Sequence, residues 1–280
     1  MNSYDEKIKN HYDAVARSEG ASSSSTMADE TIRNTETKFI VDMLRSFIES
    51  GTLEKLQARS RLERSLSLID VGCGNGYTLK TISNSFDGLR LSGLELNDSL
   101  RSIAMSALSG LDIPVKRGDI REYDSTLSAG YDVVICQRVL INLLSVEDQR
   151  RAFSNLVRST NEGGLLILIE GFDSGLESLN EARQEFGLEP LTPAHHNLYL
   201  DDKFFENEDL VDYDLSRRDE LSTHYFVSRV LHPLFLKAFG AEFQRNSHFV
   251  KFFGKALKPG IGSYAQMKLV SYKKVKAERG

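Results

Sequence analysis

The stretch LIDVGCGNGYTLKTI, residues 68–82, limits the chain more than any other feature. An apolar run ends in Asp70, glycines follow at 72, 74 and 76, and apolar residues then recur at helical spacing. Glycine lacks a Cβ, so such a turn accepts left-handed backbone and lets main-chain N–H groups approach a ligand closely. The helix that follows adds the positive end of its dipole to the same spot. Strand, glycine turn and helix in this order read as the first unit of an α/β sheet, with the turn as a binding site.

The rhythm continues. Apolar runs at 66–72, 89–96, 113–119, 131–137 and 164–171 alternate with helix candidates at 77–86, 98–109 and 145–160, for which Asp98 and Ser145 are plausible caps. Strands that are apolar almost throughout belong to a parallel sheet covered on both faces. The expected fold is therefore α/β: a doubly wound, mostly parallel, seven-stranded Rossmann-like sheet. Two further strands are read at 209–215 and 265–274, with an amphipathic helix at 223–239 between them. Before the sheet lies an N-terminal helical layer, residues 1–60, in which Asp29 caps a helix carrying Ile32, Phe39, Ile40, Met43, Leu44 and Phe47 on one face. A serine-rich loop (18–30) precedes that helix. Residues 61–280 form the main domain, with a helical insertion at 172–208 after the fifth strand.

Composition removes several classes of function. With 280 residues, 40% hydrophobic and 27% charged, the chain has no apolar run long enough to span a membrane. Its first 25 residues are too polar for a signal peptide. A formal charge of −5 disfavours a nucleic-acid surface, and the basic tail Lys273, Lys274, Lys276 and Arg279 reads as a solvated end. Two cysteines, Cys73 and Cys136, cannot build a disulfide framework and point to a reducing cytoplasm. Both read as small apolar packers beside the pocket. No feature specifies an oligomeric state.

Parallel sheets bind ligands at the carboxyl ends of their strands. The glycine spacing here is G-x-G-x-G, and a dinucleotide fingerprint would need glycine where Tyr77 stands. The motif resembles the first signature of the Rossmann-like (class I) S-adenosylmethionine-dependent methyltransferases. That resemblance implies a cofactor loop of Asp70, Gly72, Cys73, Gly74 and Gly76 around the methionine and ribose. It extends over residues 66–171. Glu95, with Leu96 beside it, lies nineteen residues past Gly76 and is placed to accept from both ribose hydroxyls. Asp119 would meet the adenine amino group and Ile120 the ring face. Gln137 and Arg138 follow the fourth strand, where the family faces the transferred methyl. Tyr12, in HYDAVA, resembles an N-terminal tyrosine that small-molecule members fold over the cofactor, and Arg33 is a further candidate for its carboxylate.

The implied activity is methyl transfer to a small polar acceptor. Metal dependence is not expected, because the spaced Asp and Asn set of the metal-dependent O-methyltransferases is missing, as is the Asn/Asp-Pro-Pro-aromatic signature of one class of N-methyltransferases. LTPAHHNLYL offers His195 and His196 as general bases, and Glu170 is the rival. Arg138, Arg33 and Arg229 suit an anionic acceptor. The insertion pattern is loosely similar to methyltransferases of bacterial surface-polysaccharide gene clusters, which implies a glycan or phosphorylated-sugar hydroxyl. Two other readings stay open: an RNA methyltransferase, and a catalytically silent S-adenosylmethionine-binding protein.

Overall fold

The computed structural model describes residues 3–19, 29–50, 65–244 and 246–275. Residues 20–28 of the serine-rich loop, residues 51–60 of the N-terminal layer and the tail residues Lys276 and Arg279 lie outside them. The seven expected strands are present: β1 (Ser67–Val71), β2 (Arg90–Glu95), β3 (Val115–Arg117), β4 (Tyr131–Gln137), β5 (Thr160–Gly171), β6 (Leu210–Asp212) and β7 (Met267–Lys274). They form one sheet in the order β3-β2-β1-β4-β5-β7-β6. β1 to β5 run parallel, and β7 is antiparallel to both β5 and β6.

The chain reverses direction across the sheet between β1 and β4, which opens a crevice at their carboxyl ends. Leu68 and Ile69 of β1, Val134 and Ile135 of β4, and the run from Leu165 to Ile169 of β5 are fully buried. Each such side chain contributes about 1.5–3 kcal/mol by leaving water. Helices cover the sheet: α3 (Tyr77–Ser85), α4 (Asp98–Ala107), α5 (Val146–Ser159) and α6 (Asp173–Glu185). Ser145 caps α5 as expected, but Asn97 rather than Asp98 caps α4, its side chain accepting from Leu100 N.

Two helices precede the sheet, α1 (Ser3–Glu19) and α2 (Glu30–Glu49). α2 packs on β5 and β7 through its apolar stripe, and Asp29 caps it by accepting from the Thr31 and Ile32 amides. Arg33 and Glu36 interrupt that buried stripe. α1 packs on α4, where Asp13 accepts from Asn97 and Ser99.

The helix expected at 223–239 is divided. α7 (Ser222–Phe226) runs into a π-helical turn (Val227–Leu231) and then α8 (His232–Phe239). Pro233 explains the widened turn, since it has no N–H for the Arg229 carbonyl four residues back and its ring would crowd that oxygen. The Arg183 guanidinium donates to the Arg229 carbonyl instead. A last helix, α9 (His248–Ala256), precedes β7. The strand expected at 209–215 shrinks to β6, because Asp214 accepts from Ser216 N and turns the chain.

Candidate active site

A cavity of about 530 Å³ opens at the carboxyl ends of β1, β2 and β4. Its floor is the glycine turn. Gly72 and Cys73 donate to the Leu94 carbonyl at 2.7 and 3.1 Å, which hooks the turn onto the end of β2. Gly72 and Gly74 have φ of +75° and +56°, a region that side-chain-bearing residues rarely enter. A Cβ on Gly72 would also sit 2.2 Å from Cγ2 of Val139. The turn therefore packs against the end of β4 as tightly as glycine permits.

Glu95 fastens the loop. One carboxylate oxygen accepts from Gly74 N at 2.8 Å and the other from Asn97 N at 2.7 Å. Burial raises its pKa against these backbone bonds. Each oxygen keeps a lone pair for a diol. Asp70 lies beneath, almost fully buried. Burial and the nearby Glu95 push its pKa up to about 7, with Arg33 pulling the other way.

Of the residues singled out in the sequence, Tyr12, Arg33, Asp70, Gly72, Cys73, Gly74, Glu95, Leu96, Asp119, Ile120, Gln137 and Arg138 line this one cavity. Gly76 stands just behind it as the N-cap of α3, against Ala104 and Leu108. Asp119 carries a partner that the sequence reading missed. Arg121 donates to both its oxygens, from Nε at 3.0 and 3.1 Å and from Nη2 at 2.6 Å. Burial works upward on Asp119, but Arg121 outweighs it and leaves the pKa below the usual range. An adenine amino group would have to use a remaining lone pair. Tyr12 comes from α1, and its hydroxyl accepts from Asn142 at 2.6 Å. Burial pushes its pKa up to about 12, although Arg138 and Asn142 act in the opposite direction.

The expected bases do not reach the cavity. His195 and His196 are not among its lining residues; they meet His11 of α1 instead. Their loop is fixed by Leu198 N donating to the Ile141 carbonyl. Glu170 is fully buried behind the site. It accepts from Val139 and Leu140 at 3.0 Å and from Ile141 at 3.2 Å, so its carboxylate holds the turn after β4 and is committed to backbone. Burial raises its pKa to about 7 against those three bonds. Cys73 and Cys136 are buried free thiols pushed well above their ordinary range, chiefly by burial.

A second polar network adjoins the cavity between α2, α7 and the end of β4. Fully buried Glu36 accepts from Gln137 at 2.6 Å and lies 3.7 Å from Nη2 of Arg138. Its pKa is raised by burial, opposed by Arg138 and Arg33. Arg33 falls to about 10 through burial and the neighbouring Arg138 charge. Arg138 has left-handed backbone, φ +56°, a strained conformation of the kind found at functional sites. At the N-cap of α2, Asp29 contacts Nε2 of His224 at 3.0 Å, and Arg229 lies 3.7 Å from the same oxygen. Glu36 Oε1, Arg138 Nη1 and His224 Nδ1 are buried without a hydrogen-bond partner among the described residues. Buried polar atoms are normally paired, and of these three residues Arg138 also lines the cavity, so its guanidinium is a candidate to meet a polar ligand there.

Glu36 could have been noticed as an acid inside an apolar helical stripe. His224 gave no comparable signal, because its partner lies 195 residues away.

The comparisons agree with this geometry. Residues 68–164 match the family model described as "Methyltransferase domain". The chain is 32% identical over 137 residues to the dTDP-4-amino-2,3,4,6-tetradeoxy-D-glucose N,N-dimethyltransferase of Saccharopolyspora spinosa, covering 45% of this chain and 52% of that protein. It is 27% identical over 128 residues to the polyketide synthase ThaQ of Burkholderia thailandensis, covering 43% of this chain and 6% of that one. The chain thus spans about half of the first relative and a small part of the second. The solved magnesium protoporphyrin IX methyltransferase of Synechocystis PCC 6803, with bound SAH, shares the fold at a TM-score of 0.51 and 12% identity, over 96% of this chain and 99% of that one. The glycine turn, the acids at successive strand ends and the family match together establish that residues 68–164 belong to the Rossmann-like methyltransferase domains, whose cofactor is S-adenosylmethionine.

Proposed function

We propose that the chain is an S-adenosylmethionine-dependent O-methyltransferase acting on a small polar, saccharide-like or anionic acceptor. The observation that carries the acceptor class is the network of Arg33, Glu36 and Arg138 beside the cofactor cavity, with Arg138 Nη1 and Glu36 Oε1 buried and unpaired among the described residues. Bound S-adenosylmethionine would supply an activated methyl on its sulfonium. The residues do the rest. Glu95 would hold the ribose diol, Gly74, with no side chain, would let the cofactor lie close to the main chain, and Arg33 would hold the cofactor carboxylate. Arg138 and Glu36 orient the acceptor through an anionic group and a hydroxyl. Tyr12 and Asn142 close the cavity from the side of α1.

Transfer from a hydroxyl requires loss of its proton. We assign that step to His224. Asp29 fixes the tautomer with hydrogen on Nε2, which leaves Nδ1 as an acceptor. None of His224, His195, His196 and Glu170 lines the cavity, and among the three histidines only His224 is oriented by a carboxylate among the described residues. The N-terminal layer and the helix pair at 222–239 thereby supply the acceptor site, and the sheet supplies the cofactor site.

A second reading, N-methyl transfer to an amino sugar, is favoured by the Saccharopolyspora relative, which acts on an amino sugar. Labelled-methyl transfer to nucleotide sugars with a free hydroxyl, matched amino sugars, glycans and RNA separates the readings. Label on a saccharide hydroxyl supports the proposal, label on an amine replaces it with the second reading, and label on RNA alone overturns both.

A further inference from the structure

The cavity and its network leave one cluster of chemistry-bearing side chains unused. His11 of α1 meets His195 and His196 of the loop after α6. The His11 and His196 rings stack with centroids 3.8 Å apart, and those of His195 and His196 are 5.0 Å apart. One ring nitrogen from each lies within 4.8 Å of the others. The cluster is half-buried around His11 and His196, whereas His195 faces solvent. Nδ1 of His196 is buried with no hydrogen-bond partner among the described residues.

We propose that His11, His195 and His196 form a binding site for a divalent transition-metal ion of the zinc class, which staples α1 over the cofactor cavity. Three imidazoles without a carboxylate suit Zn²⁺, Co²⁺ or Ni²⁺ and disfavour Mg²⁺ and Ca²⁺, which require oxygen ligands. His11 and His196 stack with planes 24° apart, so one ring turns to bring its in-plane lone pair onto the ion; three protein nitrogens then leave the fourth tetrahedral position to water.

The position gives the ion a consequence. Ile8, Lys9 and Tyr12 of α1 line the cavity, so α1 is one of its walls. The histidine loop is anchored to the turn after β4 by Leu198 N to the Ile141 carbonyl at 2.7 Å. Gln149 joins them again, donating to the Leu140 and Leu198 carbonyls at 3.1 and 2.8 Å. An ion bridging His11 to this loop would tie the wall to the same turn that carries Asn142, the partner of Tyr12. The sequence reading anticipated no metal because it looked for strand-end aspartates, and His11 lies far from the adjacent pair in the chain.

The test uses the full chain and ZnCl₂ alone, by calorimetry without cofactor, with Co²⁺ as a spectroscopic stand-in. One equivalent of Zn²⁺ and the visible bands of four-coordinate Co²⁺ are expected. Both should vanish in His11→Ala and in His196→Gln, with circular dichroism and melting reporting an intact fold. Zn²⁺ should also slow S-adenosylhomocysteine dissociation at least several-fold in the native chain and leave the rate unchanged in His11→Ala. Absence of Zn²⁺ binding, or binding that survives both substitutions, overturns the site. Binding without any effect on dissociation overturns the staple. The metal titration does not depend on the assigned reaction, so failure of one leaves the other standing.

Discussion

Asp29 divides its carboxylate between two tasks: Oδ1 accepts from the first-turn amides of α2, and Oδ2 holds Nε2 of His224 at 3.0 Å. A helix cap and a histidine orienter are thus one side chain. Burial pushes the Asp29 pKa up, but His224, the Ile32 amide and Arg229 together outweigh it and hold the carboxylate below its ordinary range.

His224→Asn should lower turnover roughly 100-fold or more while cofactor affinity stays within about twofold, as expected for loss of a proton acceptor. Asp29→Ala should lower turnover and also cost about 1 kcal/mol of stability through the lost cap. Steady-state kinetics at saturating cofactor, calorimetry and thermal melts separate the two effects. Equal turnover in native and His224→Asn protein removes the assigned base.

Arg138→Met should raise the acceptor KM roughly ten- to a hundredfold, the scale of one charge-assisted hydrogen bond, with cofactor affinity little changed. Initial rates over a range of acceptor concentrations check this. A change confined to cofactor affinity would place Arg138 on the cofactor instead.

Gly74→Val should weaken S-adenosylhomocysteine binding by roughly 10- to 100-fold, since φ of +56° strains a branched residue by about 1–3 kcal/mol and the loop lines the cavity. Circular dichroism should show the fold retained. Unchanged affinity in a folded variant would mean that the glycine turn does not carry the cofactor.

Glu170→Ala should destabilise the protein by about 2–4 kcal/mol, because three buried amides at 139–141 lose their acceptor. Denaturant titration measures this. A change under about 1 kcal/mol would contradict its role as the anchor of the turn.

Stability should also depend on pH in a defined direction. Asp70 and Glu170 have folded pKa values of about 7, against about 3.9 and 4.3 for unfolded chains. Between those limits the folded state binds more protons, so these two groups make stability fall as pH rises from about 4 to about 7 and level off above. Asp29 and Asp119, held low, contribute oppositely: their stabilisation is present above the unfolded value and is lost as pH falls through the folded one. Melting temperatures of native and Asp70→Asn protein across pH 4–8 should diverge with rising pH, with the variant the more stable at pH 8. Parallel curves would refute the buried Asp70 charge.

The sheet was legible because β1, β4 and β5 carry largely apolar runs and β1, β2, β4 and β5 are each followed by a helical pattern, whereas β3, Val-Lys-Arg before a turn, was legible only from its place in the alternation. Glu95 and Asp119 were legible for a related reason: strand ends lie at one edge of a parallel sheet, so position in the chain becomes position in space. Contacts between distant segments had no such rule. Arg121 could bind Asp119 only once the turn after β3 was known, and His224 met Asp29 only where α7 approaches the N-cap of α2. The adjacent histidines drew attention as a pair, whereas their third neighbour, His11, comes from a helix whose register in sequence says nothing about that loop. The π turn after His224 was likewise invisible as geometry, although Pro233 marked the place.

The most direct measurement is a calorimetric titration of the native chain with S-adenosylhomocysteine, run beside Gly74→Val. The account predicts one saturable site in the native protein and a large loss of affinity in the variant. No heat of binding from correctly folded native protein would contradict it.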